Sequence, residues 1–539
     1  MQPTPPPPDA PSLFDDYYFH RLVPPDHPLL KIAAVTDFSF AREEVAPFYS
    51  EEPGRPPLDP EFMFKLCFLQ SYYTLSDREV VERAQTDLAC RAFLQLDLEE
   101  KLPHHSSLSR FRTRLGAEGF GCLFDRGVRQ AAAEGLVPNR MLMADSYGIR
   151  ADIAVPRFQK LLSRVIARAI SVLGELGGGV EFLRQEAAEL ERDNSWQQSK
   201  ELAEKREGDF LALAELVAEA LGELAVEVGQ EGRREEALEL LSGVVERRAR
   251  KAEGSGYVVS DVDPQARWRR KKHGKQAFVG YVEGVVMDGE TEIITDVEVY
   301  AGNTDDSETL ADLLAGHKEN TGAAPQALVG DSGYHSGANR ALLAGEEITD
   351  YVAVPTPKGH KQGRFSTSDF EIEWDEEEER PVRALCPGGQ LAEGAKWKRE
   401  THSWVLYFGK QQCVGCPLRE RCTRQKRGRS LSVSRYHRLH EAARERQGSE
   451  EGQAAQVARL GIERTFAVQQ RRGGLRRARY RGREKVAIQA YLSCTVLNIV
   501  RRAKLLLSGY LSDKSREVDA NLDKARHRCG LLREADCVC

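Results

Sequence analysis

Apolar positions along the chain change period several times, and those changes divide it into segments. From Asp59 to about Leu136 the period is helical. Asp59-Pro60 predicts a helix start, with the acid as cap and the proline in the first turn. Phe64, Cys67, Phe68 and Leu69 then supply an apolar face. "SDREVVERA" opens on Ser76 with Glu79 three residues on, a capping box. "HHSSLSRFRTRLG" predicts a further helix, capped by Ser106 or Ser107 and carrying Arg110, Arg112 and Arg114. A short basic helix behind other short helices suggests a helix-turn-helix-like DNA contact; a solvated amphipathic helix has the same pattern. At Met141 the pattern turns extended: Met141, Leu142 and Met143 lead into Asp145, and Ile149 to Ile153 continue as strand or hairpin.

Helical period returns from Phe158 to about Ala252. Leu162, Val165, Ala169 and Leu173 share one face; Leu213, Leu216, Val217, Ala220 and Leu224 share a second; Leu238, Leu241 and Val245 make a third. This predicts a charged coiled hairpin or small bundle without chemistry of its own. From Ser260 strands return. "FVGYVEGVVMD" and "EIITDVEVYAGN" flank Gly289 as a hairpin, and "DSETLADLLAGH" is a helix capped by Asp306 or Ser307. "ALVGDSGY", "SGANRALLAG" and "DYVAVPT" read as strand, helix and strand. The order is β, long insertion, β, β, α, β, α, β. After Gly363 the pattern loosens around the acidic run Asp375 to Glu379 and four cysteines, and Ala454 to Leu507 reads as two helices flanking "RRGGLRRARYRGREK".

Composition bounds the function. A chain of 539 residues with 41% hydrophobic content holds several domains with real cores. No apolar run approaches a membrane span, and "MQPTPPPPDAPS" reads as a disordered lead-in rather than a signal peptide. The formal charge of -6 argues against a generic nucleic-acid coat, but the charge is uneven. From Arg464 to Lys485 nine Lys or Arg face one acid, Glu484. Such density suits phosphate contact, with Arg471, Arg472, Arg476, Arg477, Arg479 and Arg481 as candidates and Tyr480 among them for a sugar or base. A second basic run, Arg267 to Lys275, contains Trp268. Eleven cysteines, mostly scattered, suit a reducing compartment.

Three acids stand out. Asp145 and Asp331 each close an apolar strand, and Glu463 follows Arg459 by one helical turn. Asp331 before Ser332-Gly333 is also ordinary turn chemistry. Three clustered acids would raise one another's pKa values, and bound cations would offset that repulsion. Carboxylates suit Mg²⁺, a hard cation that takes oxygen donors. Two such ions would activate a water or 3′-hydroxyl and stabilise the leaving oxygen.

A resemblance gives the trio a context. "LDPEFMFKLCFLQSYYTLSDREVVERAQTD…HHSSLSRFRTRLG", "MADSYGIRADIA", "GYVEGVVMDGETEIITDVEVYAGNTDDSETL", "VGDSGYHSGAN" and "RLGIERTF…GGLRRARYRGREKVAIQAYLSCTVLNIVRR" span most of residues 15–505. In that order they resemble bacterial insertion-sequence transposases of the DDE superfamily, nearest the type numbered eleven-eighty-two and related to the insertion-sequence four/five-like transposases. The resemblance implies an α/β RNase H-like catalytic core, a mixed sheet with flanking helices. It implies Asp145, Asp331 and Glu463 as catalytic acids and ligands of Mg²⁺ or Mn²⁺. It also implies double-stranded DNA as partner, both terminal inverted repeats and target, a homodimer on DNA, no membrane, and a cytoplasmic, nucleoid-associated location. Relatives often carry a Tyr-two-Arg-three-Glu-six-Lys signature. Arg459 and Glu463 fit it, which implies Arg459 as a DNA phosphate contact, whereas the tyrosine position is Gln456 and the lysine position Gln470, with Arg471 one residue on as a substitute phosphate contact.

Cys413 and Cys416, two residues apart, with Cys422 and Cys386 make a candidate four-thiolate zinc site. His402 or His437 are candidate substitutes, and an iron–sulfur cluster uses the same ligands. Similar cysteines recur in the resembled type. The expected organisation is a disordered lead-in over 1–14, a helical DNA-binding and dimerisation domain over 15–137, and the first part of the core over 138–157 and 256–362. A helical insertion follows at 158–255 and a Cys-containing insertion at 363–450. Core-completing helices occupy 451–508 and a polar tail 509–539. The expected activity is a transposase that cleaves DNA and transfers a 3′-hydroxyl end; a catalytically decayed DNA-binding protein and an RNase H-like nuclease without strand transfer are the alternatives.

Overall fold

The structure, a computed structural model, describes residues 18, 19, 21–49, 57–192, 199–227, 229–246, 257–269 and 277–509. The lead-in expected over 1–14, nearly all of the expected polar tail and the Arg270 to Lys275 part of the second basic run lie outside them.

Six helices open the described chain: α1 (Pro28–Val35), α2 (Phe40–Val45), α3 (Pro60–Tyr73), α4 (Asp77–Thr86), α5 (Leu88–Leu94) and α6 (Ser106–Ala133). Local signals explain their starts. Asp59 accepts the Phe62 N–H at 3.3 Å, and Ser76 with Glu79 forms the reciprocal capping box. The start of α6 differs from expectation: no serine caps it, and the His104 ring accepts the Ser106 N–H at 3.3 Å instead. That helix runs on through Gly116, whose φ of 60° is a left-handed kink that glycine tolerates. Phe38, Phe64, Phe68 and Phe93 meet ring to ring in the core beneath α3 and α5.

A six-stranded sheet forms the centre, from β1 (Leu142–Arg150), β2 (Arg267–Arg269), β3 (Phe278–Asp288), β4 (Ile294–Ala301), β5 (Ala327–Gly330) and β6 (Thr349–Asp350). β1, β3 and β4 are successively antiparallel, with Asp145 opposite Val285, and β2 pairs the far end of β3. On the other side of β1, β5 and β6 run parallel to it. The last strand is only Thr349–Asp350, shorter than "DYVAVPT" suggests. The hairpin at Gly289 is held by Asp288, whose carboxylate accepts the Glu290 and Thr291 N–H groups at 2.9 Å each.

Between β1 and β2 the chain makes α7 (Phe158–Glu175), α8 (Glu181–Arg192), α9 (Lys200–Glu223) and α10 (Glu231–Val245). They bury Leu162, Val165, Phe210, Leu213, Val217 and Leu241 in a core of their own, as the three apolar faces predict, although Leu216, expected on the second face, is exposed. Beyond β4 follow α11 (Asp306–Thr321) and α12 (Gly337–Gly345). The cysteine region builds two three-stranded sheets: β7 (Glu371–Asp375), β8 (Arg380–Leu385) and β9 (Leu391–Glu393), then β10 (Lys396–Lys398), β11 (Ser403–Phe408) and β12 (Arg429–Ser434). Four helices complete the described chain: α13 (His437–Gly448), α14 (Glu450–Ala458), α15 (Leu460–Arg472) and α16 (Arg483–Leu507).

Alternation along the strands divides their side chains between two layers. Leu142, Ala144, Val286 and Leu328 face α11 and α12, where Leu310, Leu313 and Leu343 meet them. Met143, Ile149, Val285 and Met287 face α15 and α16, against Ile462, Phe466, Val486 and Ala490. No helix among the described residues is long and apolar enough to cross a membrane.

Candidate active site

Strand register brings two of the acids together. In the parallel pair Leu142 lies beside Leu328, Met143 beside Val329 and Ala144 beside Gly330. The β1–β5 ladder stops there; Asp331 follows the end of β5 directly, whereas Asp145 does not close its strand as expected, because β1 stays paired with β3 and runs on to Arg150. This is the carboxyl end of parallel strands, where open α/β sheets form crevices. Asp331 accepts the Gly333 N–H at 2.6 Å, the bond that the turn reading predicts.

Asp145 shares its strand face with Met143, Tyr147 and Ile149, the face on which the Tyr147 ring meets Phe466 of α15, 5.6 Å between centroids. The carboxylate, 15% exposed, thus looks toward the joint of α14 and α15. There Arg459 places Nη1 2.9 Å from Asp145 Oδ2 and Nη2 3.7 Å from Glu463 Oε1. Glu463 remains 60% exposed. The third acid therefore reaches the first through an arginine, and Arg459, expected on phosphate, is engaged with carboxylates. Burial pushes the Asp145 carboxyl up to about 7, with Asp331 and Asp306 adding to it; the Ser146 N–H and Arg459 pull the other way.

Gln456, at the signature's tyrosine position, has a structural explanation. Its amide donates to the Tyr351 carbonyl at 2.6 Å and to that of Gly330 at 3.2 Å. It fastens α14 across the ends of β5 and β6. Gln470 is partly buried on α15.

Asp306 was legible only as a helix cap, and the structure corrects this: Asp305 holds the cap position, without a side-chain bond. The Asp306 carboxylate turns toward β1, where Ser146 Oγ donates at 2.5 Å and Arg269 Nη2 at 2.7 Å, both to Oδ1. Two adjacent acids at one helix start, where one suffices for a cap, were the available signal.

The arginines divide. Arg110 and Arg114 are exposed, with Arg114 over the Tyr49 ring at 4.6 Å. Arg112, expected beside them on DNA, is instead buried, paired with Asp77 and donating to Gln70 at 3.2 Å. Helix geometry is the reason: residues two apart lie on opposite faces, so Arg112 could not share the surface of Arg110 and Arg114. Tyr480 is also turned inward, with Arg112 5.7 Å over its ring, rather than free for a base. In the second basic run Arg269 serves Asp306, and Trp268 is partly buried against the sheet core.

Arg471, Arg472, Arg476, Arg477, Arg479 and Arg481 are all exposed, on the end of α15 and the joint before α16. Backbone bonds fix this joint along the end of β1: the Ala478 N–H donates to Arg150 O at 2.8 Å and the Arg150 N–H to Arg476 O at 3.3 Å. Arg477 pairs with Asp152, and Arg479 Nη1 donates to Leu75 O at 2.9 Å.

Cys386, Cys413, Cys416 and Cys422 line one small cavity, roofed by Phe370 and Phe408. Burial pushes the Cys422 thiol up, Arg429 opposes this, and the other three sulfurs add to it. His402 and His437 are not in that lining; their rings meet Trp397 and Trp374. Among the described residues no three His, Cys, Asp or Glu side chains are disposed to hold a metal ion, either here or at Asp145.

Comparison with known families gives two matches. A family model described as a transposase domain (DUF772) matches residues 17–114, the helical unit through most of the basic turn of α6. Another, described as a transposase DDE domain, matches residues 385–503, from the first clustered cysteine through Glu463 and nearly all of α16. No curated protein and no solved structure matches significantly.

Proposed function

The chain carries the domains of an insertion-sequence DDE transposase, and from that premise we propose that it binds the ends of its element, cleaves DNA there and joins the 3′-hydroxyl to target DNA. The observation that carries this is the register of β1 and β5, which ends in two neighbouring acids, with Arg459 linking the first to Glu463. Three antiparallel strands followed by two parallel ones support the RNase H-like reading of the core.

Divalent cation chemistry fits the donors. Asp145 and Asp331 offer hard oxygens, and the Asp145 carboxyl, pushed up chiefly by burial with Asp331 and Asp306 adding to it, is one that added positive charge would favour in its ionised form. These two residues would hold Mg²⁺ or Mn²⁺, with Glu463 as the third acid. When bound, the cations supply an activated water or 3′-hydroxyl and stabilise the leaving oxygen. The chain itself supplies orientation: Gln456 sets the distance of α14 from the strand ends, and Arg459 keeps charge beside Asp145. Exposed arginines on α15 and the joint grip phosphates, with planar guanidinium forks suited to paired oxygens. Two ends must be brought together, so a homodimer on DNA is part of the proposal, as is action at the bacterial nucleoid. Cys386, Cys413, Cys416 and Cys422 line one cavity but are not disposed to hold a metal ion, so the expected thiolate zinc site is not part of the proposal.

Asp145→Ala, Asp331→Ala and Glu463→Ala should each abolish cleavage of a duplex carrying the element ends, by at least a hundredfold, while duplex binding stays within a few-fold. Retained cleavage in any of the three would remove that residue from the catalytic set. A strand-joining assay on the wild type separates transposase from plain nuclease, and a wild type that binds without cutting would mark a decayed copy.

A further inference from the structure

The Cys-containing insertion carries positive charge that neither the acid site nor the basic joint uses. From Arg419 to Arg435 seven Lys or Arg stand against one acid, Glu420, and from Pro355 to Ser368 three stand against none. Lys361, Arg421, Arg424, Lys426 and Arg427 are exposed. The insertion's acids are engaged elsewhere: among the described residues Glu373, Glu376 and Glu378 pair with Arg383, Arg438 and Arg380, and Asp369 with His360. Like charges gathered this closely repel one another, so the patch costs stability until an anion meets it.

Two loops make one surface. The Phe365 N–H donates to Arg421 O at 2.9 Å, and the Arg421 guanidinium lies 4.8 Å over the Phe365 ring. The loop after Lys361 is thereby seated against the loop that leaves Cys422. That second loop is fixed from within. The Gln425 N–H donates to Thr423 Oγ1 at 3.1 Å, and Arg429 Nη1 to Cys422 O at 2.9 Å. Gly428, with φ of 110°, turns so closely on β11 that a Cβ there would lie 2.1 Å from Phe408 O. Arg424, Lys426 and Arg427 are the exposed side chains of this held turn. Holding them in advance reduces the ordering cost of a later contact.

The insertion is also anchored where the acids are. Past β6 the chain keeps beside β5: the Tyr351 N–H donates to Leu328 O at 2.9 Å and the Ala353 N–H to Gly330 O at 3.0 Å. Gly330 precedes Asp331, so the insertion departs from the acid end of the sheet. It returns to the same place through α13, where Gln447 Oε1 accepts the Val354 N–H at 2.7 Å and Arg446 Nε donates to the Asp350 carbonyl at 3.1 Å. Lys361 follows Ala353 by eight residues, at most about 29 Å of extended chain. One turn of duplex is longer, about 34 Å.

We propose that Lys361, Arg421, Arg424, Lys426 and Arg427 form a second phosphate-binding surface, which grips the duplex held at the acids within about one helical turn of them. The inference rests on the transposase reading and adds to it a contact that neither the basic joint nor α6 supplies. Duplex DNA is the occupant that fits, since it presents a phosphate charge about every 1.7 Å along its axis and so can meet cations spread over two loops. Guanidinium forks suit its paired oxygens. Phe365, the aromatic ring between the loops, is covered by Arg421, so the surface reads charge rather than bases.

Fluorescence anisotropy of the full chain on a labelled duplex of about 40 base pairs, roughly four helical turns, tests this across a salt series without reference to cleavage. The triple variant Arg424→Ala, Lys426→Ala, Arg427→Ala should bind at least tenfold more weakly at low salt. Its log–log salt slope should flatten by about 2.7, at 0.9 for each lost contact. Circular dichroism and the thermal midpoint should stay as in wild type, because all three side chains are exposed. The double variant Arg476→Ala, Arg481→Ala serves as comparator for the joint. A wild-type slope in the triple variant overturns the second surface; if the joint variant flattens meanwhile, only the present inference falls. A wild type that binds no duplex at all takes the transposase reading with it. Loss of self-association in the triple variant, measured by analytical ultracentrifugation with duplex binding intact, would assign the patch to an acidic segment of a second copy and overturn the DNA assignment.

Discussion

At the scale of single residues, Glu283 shows what the core tolerates on the sheet face that carries Asp145. It lies wholly buried on β3, where Oε1 accepts from Gln469 Nε2 at 3.1 Å and Oε2 has no partner. Burial pushes its carboxyl up to about 8, although Gln469 and Cys494 pull it down. The folded value is therefore above the ordinary value of 4.5. Between those two pH values the folded chain holds a proton that the unfolded chain has released. Stability accordingly falls as pH rises through that window. Glu283→Gln keeps the shape without the titration. It should match wild type near pH 5 and exceed it at pH 8 by on the order of 1–3 kcal/mol, the cost of an unmet buried polar group. Chemical denaturation at the two pH values checks this, and parallel pH profiles would refute it. Residues of this kind also mark where sequence reading stops. Asp59 and Ser76 were legible because a cap is decided within four residues. Asp306 and Arg112 were not, because their partners, Ser146 at 160 positions away and Asp77 at 35, are chosen by the tertiary fold.

At the scale of elements, the basic joint is the part of the proposed DNA surface whose placement was most legible, since nine basic residues against one acid cannot easily be buried. What the pattern could not show is that the joint is held in register. Its bridge to Arg150 lines it along the same strand that carries Asp145, so the proposed phosphate contacts and the acid sit along one strand. Gly474 and Gly482, with φ of 66° and 87°, turn the chain into and out of that run. Arg471→Ala with Arg472→Ala, or Arg476→Ala with Arg481→Ala, should weaken duplex binding for all sequences. Each lost phosphate contact should flatten the log–log salt slope by about 0.9. Arg112→Ala makes the contrast: it should lower stability, because Asp77 and Gln70 lose a buried partner, and leave the slope unchanged. Fluorescence anisotropy across a salt series distinguishes the two, and an unaltered slope in both double variants would reduce the joint to solvated surface.

At the scale of the whole molecule, α16 is the element that makes the N-terminal helical unit and the acid site one body. Ile488, Leu492, Val496, Ile499 and Ala503 belong to the core of the N-terminal helices, while Val486, Ala487, Ala490 and Cys494 belong to the core of the central sheet. Arg502, paired with Glu134 and donating to Val35 O at 2.9 Å, pins the far end of the helix. Sequence periodicity identified the helix but not this double duty, because the contacts join segments hundreds of residues apart. By contrast, α7 to α10 and the two small cysteine sheets have cores of their own. The chain should therefore lose stability in blocks. Leu492→Ala opens a cavity where α16 meets α3, with an expected cost of about 2–5 kcal/mol. Hydrogen exchange should then quicken together in α3, α6 and the strands β3 and β4, and remain as before in α7, α9 and β11. Loosening confined to α3 would mean that the N-terminal unit moves independently of the sheet. The orientation of DNA relative to Asp145 would then have to be set by the DNA and not by this helix.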